Sequence, residues 1–170
     1  MHDVEKRVVV TGVGLLCSIG HNLADATDAL IRRDSGVRLM PHWQVVEGLG
    51  AHVAAPICDF DADRGIARKH RRTMGRVAKL AYHATKQAIF DADLAAELYQ
   101  GPKTGLALGS TTGSPNATLD YYENYLTAGI RSNRGTAFMQ VMSHTCAANV
   151  ALAFGIRGRV WGPTSACTSS

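Results

Sequence analysis

Apolar and polar positions change their period several times along this chain, and each change marks an element. Arg7 to Thr11 is a continuous β-branched run closed by Gly12, the pattern of a strand buried on both faces. Glycines 12, 14 and 20 then make a loop, after which Asn22 caps a predicted helix running to about Arg33, with Leu23, Ala26, Ala29 and Leu30 as its apolar stripe. Asp34-Ser35-Gly36 ends it. The signal weakens from Val37 to Phe60, where Pro41, Gly48, Gly50 and Pro56 interrupt the chain and only Ala51 to Ala55 reads as a strand. Helical spacing returns at Met74, Val77, Ala78, Ala81, Ala84, Thr85, Ala88 and Ile89, predicting a helix over Thr73 to Ala92 with one buried face.

Thr104 to Gly109 reads as a second strand, followed by the polar run Ser110-Thr111-Thr112-Gly113-Ser114. Ser114 is placed to cap a helix through Tyr121, Tyr122, Tyr125 and Leu126, with Pro115 in its first turn. Phe138 to Phe154 is too apolar all round for a surface helix, and predicts one buried helix ended by Gly155. Gly158 to Trp161 is a last β-rich run. There is no internal repeat or low-complexity tract.

Composition narrows the function classes. At 170 residues the length is that of one ordinary domain, and 46% hydrophobic residues suffice for a packed core. With 18 Lys and Arg against 14 Asp and Glu, the formal charge of +4 is too mild for a dedicated nucleic-acid binder. The most basic stretch, Arg64, Arg68, Lys69, His70, Arg71 and Arg72, reads by itself as a solvated approach to a helix. Cys17, Cys58, Cys146 and Cys167 lie far apart, with no C-x-x-C pair, so no metal or redox site is expected. They read as reduced thiols of a cytoplasmic protein. No apolar run approaches 18 residues, and the opening Met1 to Arg7 has no signal-peptide core behind it, so no membrane partner is expected. The glycines after the first strand resemble a dinucleotide fingerprint, but Cys17 stands at its third glycine position and the loop is long. No cofactor is therefore expected.

The candidate chemistry lies in Gly162-Pro163-Thr164-Ser165-Ala166-Cys167-Thr168-Ser169-Ser170. Cys167 sits at the apex of a small-residue corner, and two readings are open: a cysteine buried at a strand end, or a presented nucleophile. If a helix begins at Thr168, its unpaired N–H groups favour the thiolate and hold a developing oxyanion.

Several ordered stretches resemble the β-ketoacyl-acyl-carrier-protein synthases: Thr164-Ser165-Ala166-Cys167-Thr168-Ser169, Val9-Val10-Thr11-Gly12-Val13-Gly14, Gly20, Ser35-Gly36, and Phe154-Gly155-Ile156-Arg157-Gly158. The resemblance spans the chain. It implies an α/β fold of the thiolase-like layered αβαβα type, with residues 1–170 as an incomplete N-terminal half that stops three residues after the nucleophile. It implies a condensing enzyme of fatty-acid or polyketide synthesis in which Cys167 carries an acyl chain as a thioester. Acyl carrier protein is the implied partner, docking on residues that match Lys69 and Arg72, with Arg131 and Arg134 adding to that surface. Thr73 stands where close relatives often carry a lysine. The family forms dimers, here of identical or related subunits, with the strand from Gly158 to Pro163 pairing across the dimer axis.

The family's two catalytic histidines have no match among His2, His21, His42, His52, His70, His83 and His144. The 170 residues alone are therefore expected to be inactive, and poorly soluble through an unpaired strand edge. Tyr121, Tyr122 and Tyr125 border either substrate or an oligomer contact. Two alternatives remain: a non-catalytic partner of the chain-length-factor kind, against which Cys167 argues, and another thiolase-like enzyme using coenzyme A thioesters. A cysteine hydrolase is more remote, since Cys167 has no visible partner acid or histidine.

Overall fold

The computed structural model describes residues 7–169. The opening Met1 to Lys6, and Ser170 of the cysteine-bearing corner, lie outside the described residues. The chain divides into two units, one of residues 1–58 and 86–93 and the other of 59–85 and 94–170.

In the first unit, helix α1 spans Leu23–Arg32. The Asn22 side-chain oxygen accepts the Asp25 N–H at 2.9 Å, satisfying a first-turn donor as its position predicts. Arg33 closes the helix at φ 62, one residue before the expected stop, and the Asp34 N–H reaches back to the Ala29 carbonyl at 2.8 Å. The buried stripe is narrower than expected: Ala26 and Ala29 are buried, whereas Leu23 and Leu30 stay exposed. Strand β1 (Arg38–Leu39) pairs antiparallel with β2 (Val53–Ala54), the latter within the predicted 51–55 run.

The expected strand at residues 7–11 is not formed, and Val8 is 98% exposed. A strand buried on both faces needs neighbours on its edges, and among the described residues none pairs with this run. The glycine loop that follows is held by side chains of residues 86–93. Asp91 accepts the Val13 N–H at 2.8 Å, and Gln87 accepts the Leu15 N–H at 3.2 Å while donating to the His21 carbonyl at 2.8 Å. Gly12 is required here, since a Cβ would run into the backbone at Ala88 and Ala92.

In the second unit, short helix α2 (Arg68–Arg71) leads to α3, which spans Arg76–Asp91, starts three residues later than expected, and has its residues 86–91 in the first unit. Further helices are α4 (Ala96–Tyr99), α5 (Pro115–Ala128), α6 (Gly135–Val141) and α7 (Thr145–Phe154). Strands β3 (Leu106–Ala107) and β4 (Val160–Trp161) pair in parallel, Leu106 opposite Val160. Ile66, Met74, Ala78 and Cys146 form the core, with Val77, Tyr82, Leu108 and Ala153 against it.

Two local expectations change. The helix expected over 138–154 is two helices, because Met142 is extended at ψ 123 and the buried Thr145 hydroxyl lies 2.6 Å from the Met139 carbonyl and 2.7 Å from that of Met142. Ser114 precedes α5 but does not cap it with its side chain. Its hydroxyl is buried and accepts the Val77 N–H at 3.2 Å instead, serving the first turn of α3.

Candidate active site

The parallel pairing of β3 with β4 runs on beyond both strands. Leu108 N–H donates to the Trp161 carbonyl at 3.0 Å, Ser110 N–H to Pro163 at 3.3 Å, and the Thr164 hydroxyl returns to the Ser110 carbonyl at 3.3 Å. The residues after β3 are thereby laid beside the residues after β4. At Thr164 the chain leaves the ladder and turns into a 3-10 helix over Ala166–Thr168, with Cys167 in the middle and exposed. The alternative of a cysteine buried at a strand end therefore does not describe Cys167. Within the described residues Thr168 closes this turn rather than opening an α-helix.

Ala166 sits at φ 52, a left-handed conformation that disfavours an L side chain by roughly 1 kcal/mol. Hydroxyl groups hold it there. The Thr111 hydroxyl donates to the Ala166 carbonyl at 3.0 Å and lies 2.9 Å from the Ser169 hydroxyl, which in turn accepts the Ser165 N–H at 2.8 Å. Gly109 leaves room for the turn, because a Cβ there would collide with the Ser169 carbonyl. By its pattern alone 110–114 is a polar run after a strand. The one signal of its role was the density of hydroxyl residues directly after a strand.

Cys146 shows the opposite environment. It is 2% exposed inside α7, and burial pushes its thiol up to about 11, so it stays protonated.

The basic residues separate into two groups. Arg72 and Arg134, 62 positions apart, line one cavity of about 370 Å³ together with Asn124, Ser132, Asn133 and Gln140. Gln140 also donates to the Arg72 carbonyl at 3.1 Å, and Asn133 to the Tyr121 carbonyl at 3.0 Å. Lys69 on α2 and Arg131, in a 3-10 turn over Ile130–Ser132, are exposed and outside that lining. Arg71 lies 3.7 Å from Asp63, which Lys79 contacts at 2.7 Å. The hydrogen bond from Lys79 holds the Asp63 carboxyl below the usual carboxylate range. Thr73 is part of the packing: its hydroxyl donates to buried Asn149 at 2.6 Å, and the Asn149 amide donates back to the Thr73 carbonyl at 3.0 Å.

His83 is engaged with the Ala62 carbonyl at 3.1 Å and stands edge-on to Phe60. His144 is exposed just before α7, beside Gly162 on the path from β4 to Cys167. Of the tyrosines, Tyr121 packs edge-on to Tyr122 and leans on Phe138, while Tyr122 and Tyr125 are exposed.

Residues 5–170 match the family model for the N-terminal domain of β-ketoacyl synthases. The chain belongs to the β-ketoacyl synthase family. It is 32% identical over 173 residues to 3-oxoacyl-[acyl-carrier-protein] synthase 1 of Haemophilus influenzae, covering 97% of this chain and 40% of that protein. The crystal structure of a β-ketoacyl synthase from Burkholderia phymatum STM815 superposes with a TM-score of 0.86 at 33% identity, over 96% of this chain and 40% of that one. A more distant structure, at 19% identity and TM-score 0.75, covers 95% of this chain and 42% of its own; it is a type II polyketide ketosynthase in complex with its acyl carrier protein. The fold is thus thiolase-like, as the synthase resemblance implies. The chain spans about 40% of the length of the curated β-ketoacyl synthases it matches.

Proposed function

We propose that this β-ketoacyl synthase chain carries the acyl-accepting nucleophile of a condensing enzyme of fatty-acid or polyketide synthesis, and that Cys167 is that nucleophile. The observation that supports it is the exposed thiol on a turn braced from a second strand. The Cys167 thiolate attacks the carbonyl of an acyl thioester, and its own backbone N–H faces the oxyanion of the tetrahedral intermediate. Collapse releases the carrier thiol and leaves the acyl group on Cys167. Decarboxylation of a malonyl thioester then yields an enolate, whose carbon attacks the Cys167 thioester and expels the thiolate. No histidine of this chain is assigned to the enolate step, so residues 1–170 alone are expected to catalyse no condensation.

The expected partner is an acyl carrier protein, with the enzyme acting in the cytoplasm as a dimer of identical or related subunits. The cavity holding Arg72 and Arg134, with Lys69 and Arg131 exposed on their own turns, supports an acidic partner. Charges at such a rim chiefly set encounter and orientation.

The test is condensation by the protein made from its own gene, supplied with acyl- and malonyl-carrier protein. Cys167→Ala is expected to lower it by about 10³-fold or more, as for loss of a covalent nucleophile. Activity retained in that variant overturns the proposal. Arg72→Glu with Arg134→Glu is expected to raise KM for the carrier substrate about tenfold and to leave transfer from acyl-coenzyme A unchanged. Equal effects on both donors contradict the docking role.

A further inference from the structure

We propose that Thr111 is a positioning residue for acyl transfer: its hydroxyl aims the backbone N–H of Cys167. The inference rests on Cys167 being the nucleophile and adds what sets its geometry. The peptide group between residues 166 and 167 is planar and trans, so its carbonyl and its N–H point in opposite directions. Fixing the Ala166 carbonyl therefore fixes the direction of the Cys167 N–H, the donor proposed above for the oxyanion. Among the described residues, no hydrogen bond from that N–H to another group is found.

The Ala166 carbonyl receives the Thr111 hydroxyl at 3.0 Å and the Ser169 N–H at 3.1 Å. The Ser169 hydroxyl is 2.9 Å from both that carbonyl and Thr111 Oγ1. Two hydroxyls supply only two protons. Thr111 donates to the Ala166 carbonyl, the Ser165 N–H donates to the Ser169 hydroxyl, and the Ser169 proton is shared between the Ala166 carbonyl and Thr111. Thr111 is the one member of this set that does not belong to the corner itself, lying 55 positions from Ala166. Its mount is firm, because Ser110 is tied to Pro163 and Thr164, and the Ser110 hydroxyl accepts the Gly113 N–H at 3.1 Å. Without this anchor the left-handed residue before Cys167 has only neighbours within its own turn to hold it.

Thr111→Val keeps the shape and removes the hydroxyl, Thr111→Ser restores it, and Thr111→Ala covers a failure of the valine variant to fold. In the protein made from its own gene, valine is expected to lower kcat for acyl transfer to Cys167 by about tenfold with KM unchanged, against roughly 10²–10³-fold for outright loss of an oxyanion donor. Serine is expected to recover kcat to within about twofold. Alkylation of Cys167 by iodoacetamide forms no oxyanion, so its rate is expected to stay within about twofold of the wild type in the valine variant. An unchanged kcat in the valine and alanine variants overturns the proposal, as does an equal loss in alkylation and acyl transfer, which marks a merely structural residue. Wild-type protein that alkylates at Cys167 but accepts no acyl group overturns the parent reading and this one together. Normal wild-type transfer with unaffected variants overturns this one alone.

Discussion

The two cysteines of the second unit, Cys146 and Cys167, are held by opposite means. Around Cys146, helix α7 buries Thr145, Ala147, Asn149, Val150 and Ala151, and packing against Ile66, Met74 and Ala78 leaves the thiol protonated. Around Cys167, every residue from Trp161 to Thr168 is exposed, and conformation is set by a short ladder and a few hydroxyls. The first arrangement yields stability and an inert thiol. The second keeps a thiol accessible at some local strain, which is where reactive groups are expected to be found.

This contrast can be sharpened first through pH. The Cys146 thiol titrates near 11 in the folded protein against about 9 ordinarily. Between those values the unfolded chain releases the proton and the folded one keeps it, so stability is full below pH 9 and is lost as pH rises towards 11. The loss is at most about 1.4 kcal/mol per pH unit. Urea unfolding from pH 8 to 11 is expected to show this slope in excess of that of Cys146→Ala; identical slopes would place Cys146 in a solvated site.

Next comes the polar pair beneath α7. Asn149→Ala removes a buried amide that pairs with the half-buried Thr73 hydroxyl and carbonyl, and is expected to lower stability by about 1–2 kcal/mol. Urea denaturation measures it, and Cys167 alkylation at low urea should be unaffected. The smallest effect belongs to the corner. Cys167→Ala, which removes the proposed nucleophile, is expected to change stability by no more than about 0.5 kcal/mol, as at an exposed site. A large loss there would erase the distinction between the two regions.

What could be read from residues alone follows the same division. Asn22 caps α1 as its spacing suggested, since that contact closes over three positions. Strands β3 and β4, and the placing of Cys167 just beyond β4, were legible from short apolar runs bounded by glycines and a small-residue corner. Ser114 was not, because its hydroxyl serves Val77, 37 positions away. The break at Met142–His144 falls on the polar triplet Ser143-His144-Thr145, a signal outweighed by the apolar residues on either side of it. Thr111 and the joining of Arg72 with Arg134 depend on long-range pairing that no local period encodes. The run at 7–11 shows the converse: for all its β propensity it pairs with no strand among the described residues, and its three valines are exposed.

The most direct test is to offer an acyl-carrier-protein thioester to the protein made from its own gene, quench in acid, and map the acylated peptide by mass spectrometry. The account predicts an acyl group on Cys167 alone, with Cys17, Cys58 and Cys146 unmodified. Acylation at another residue, or a Cys167→Ala protein that acylates as readily as wild type, would contradict it.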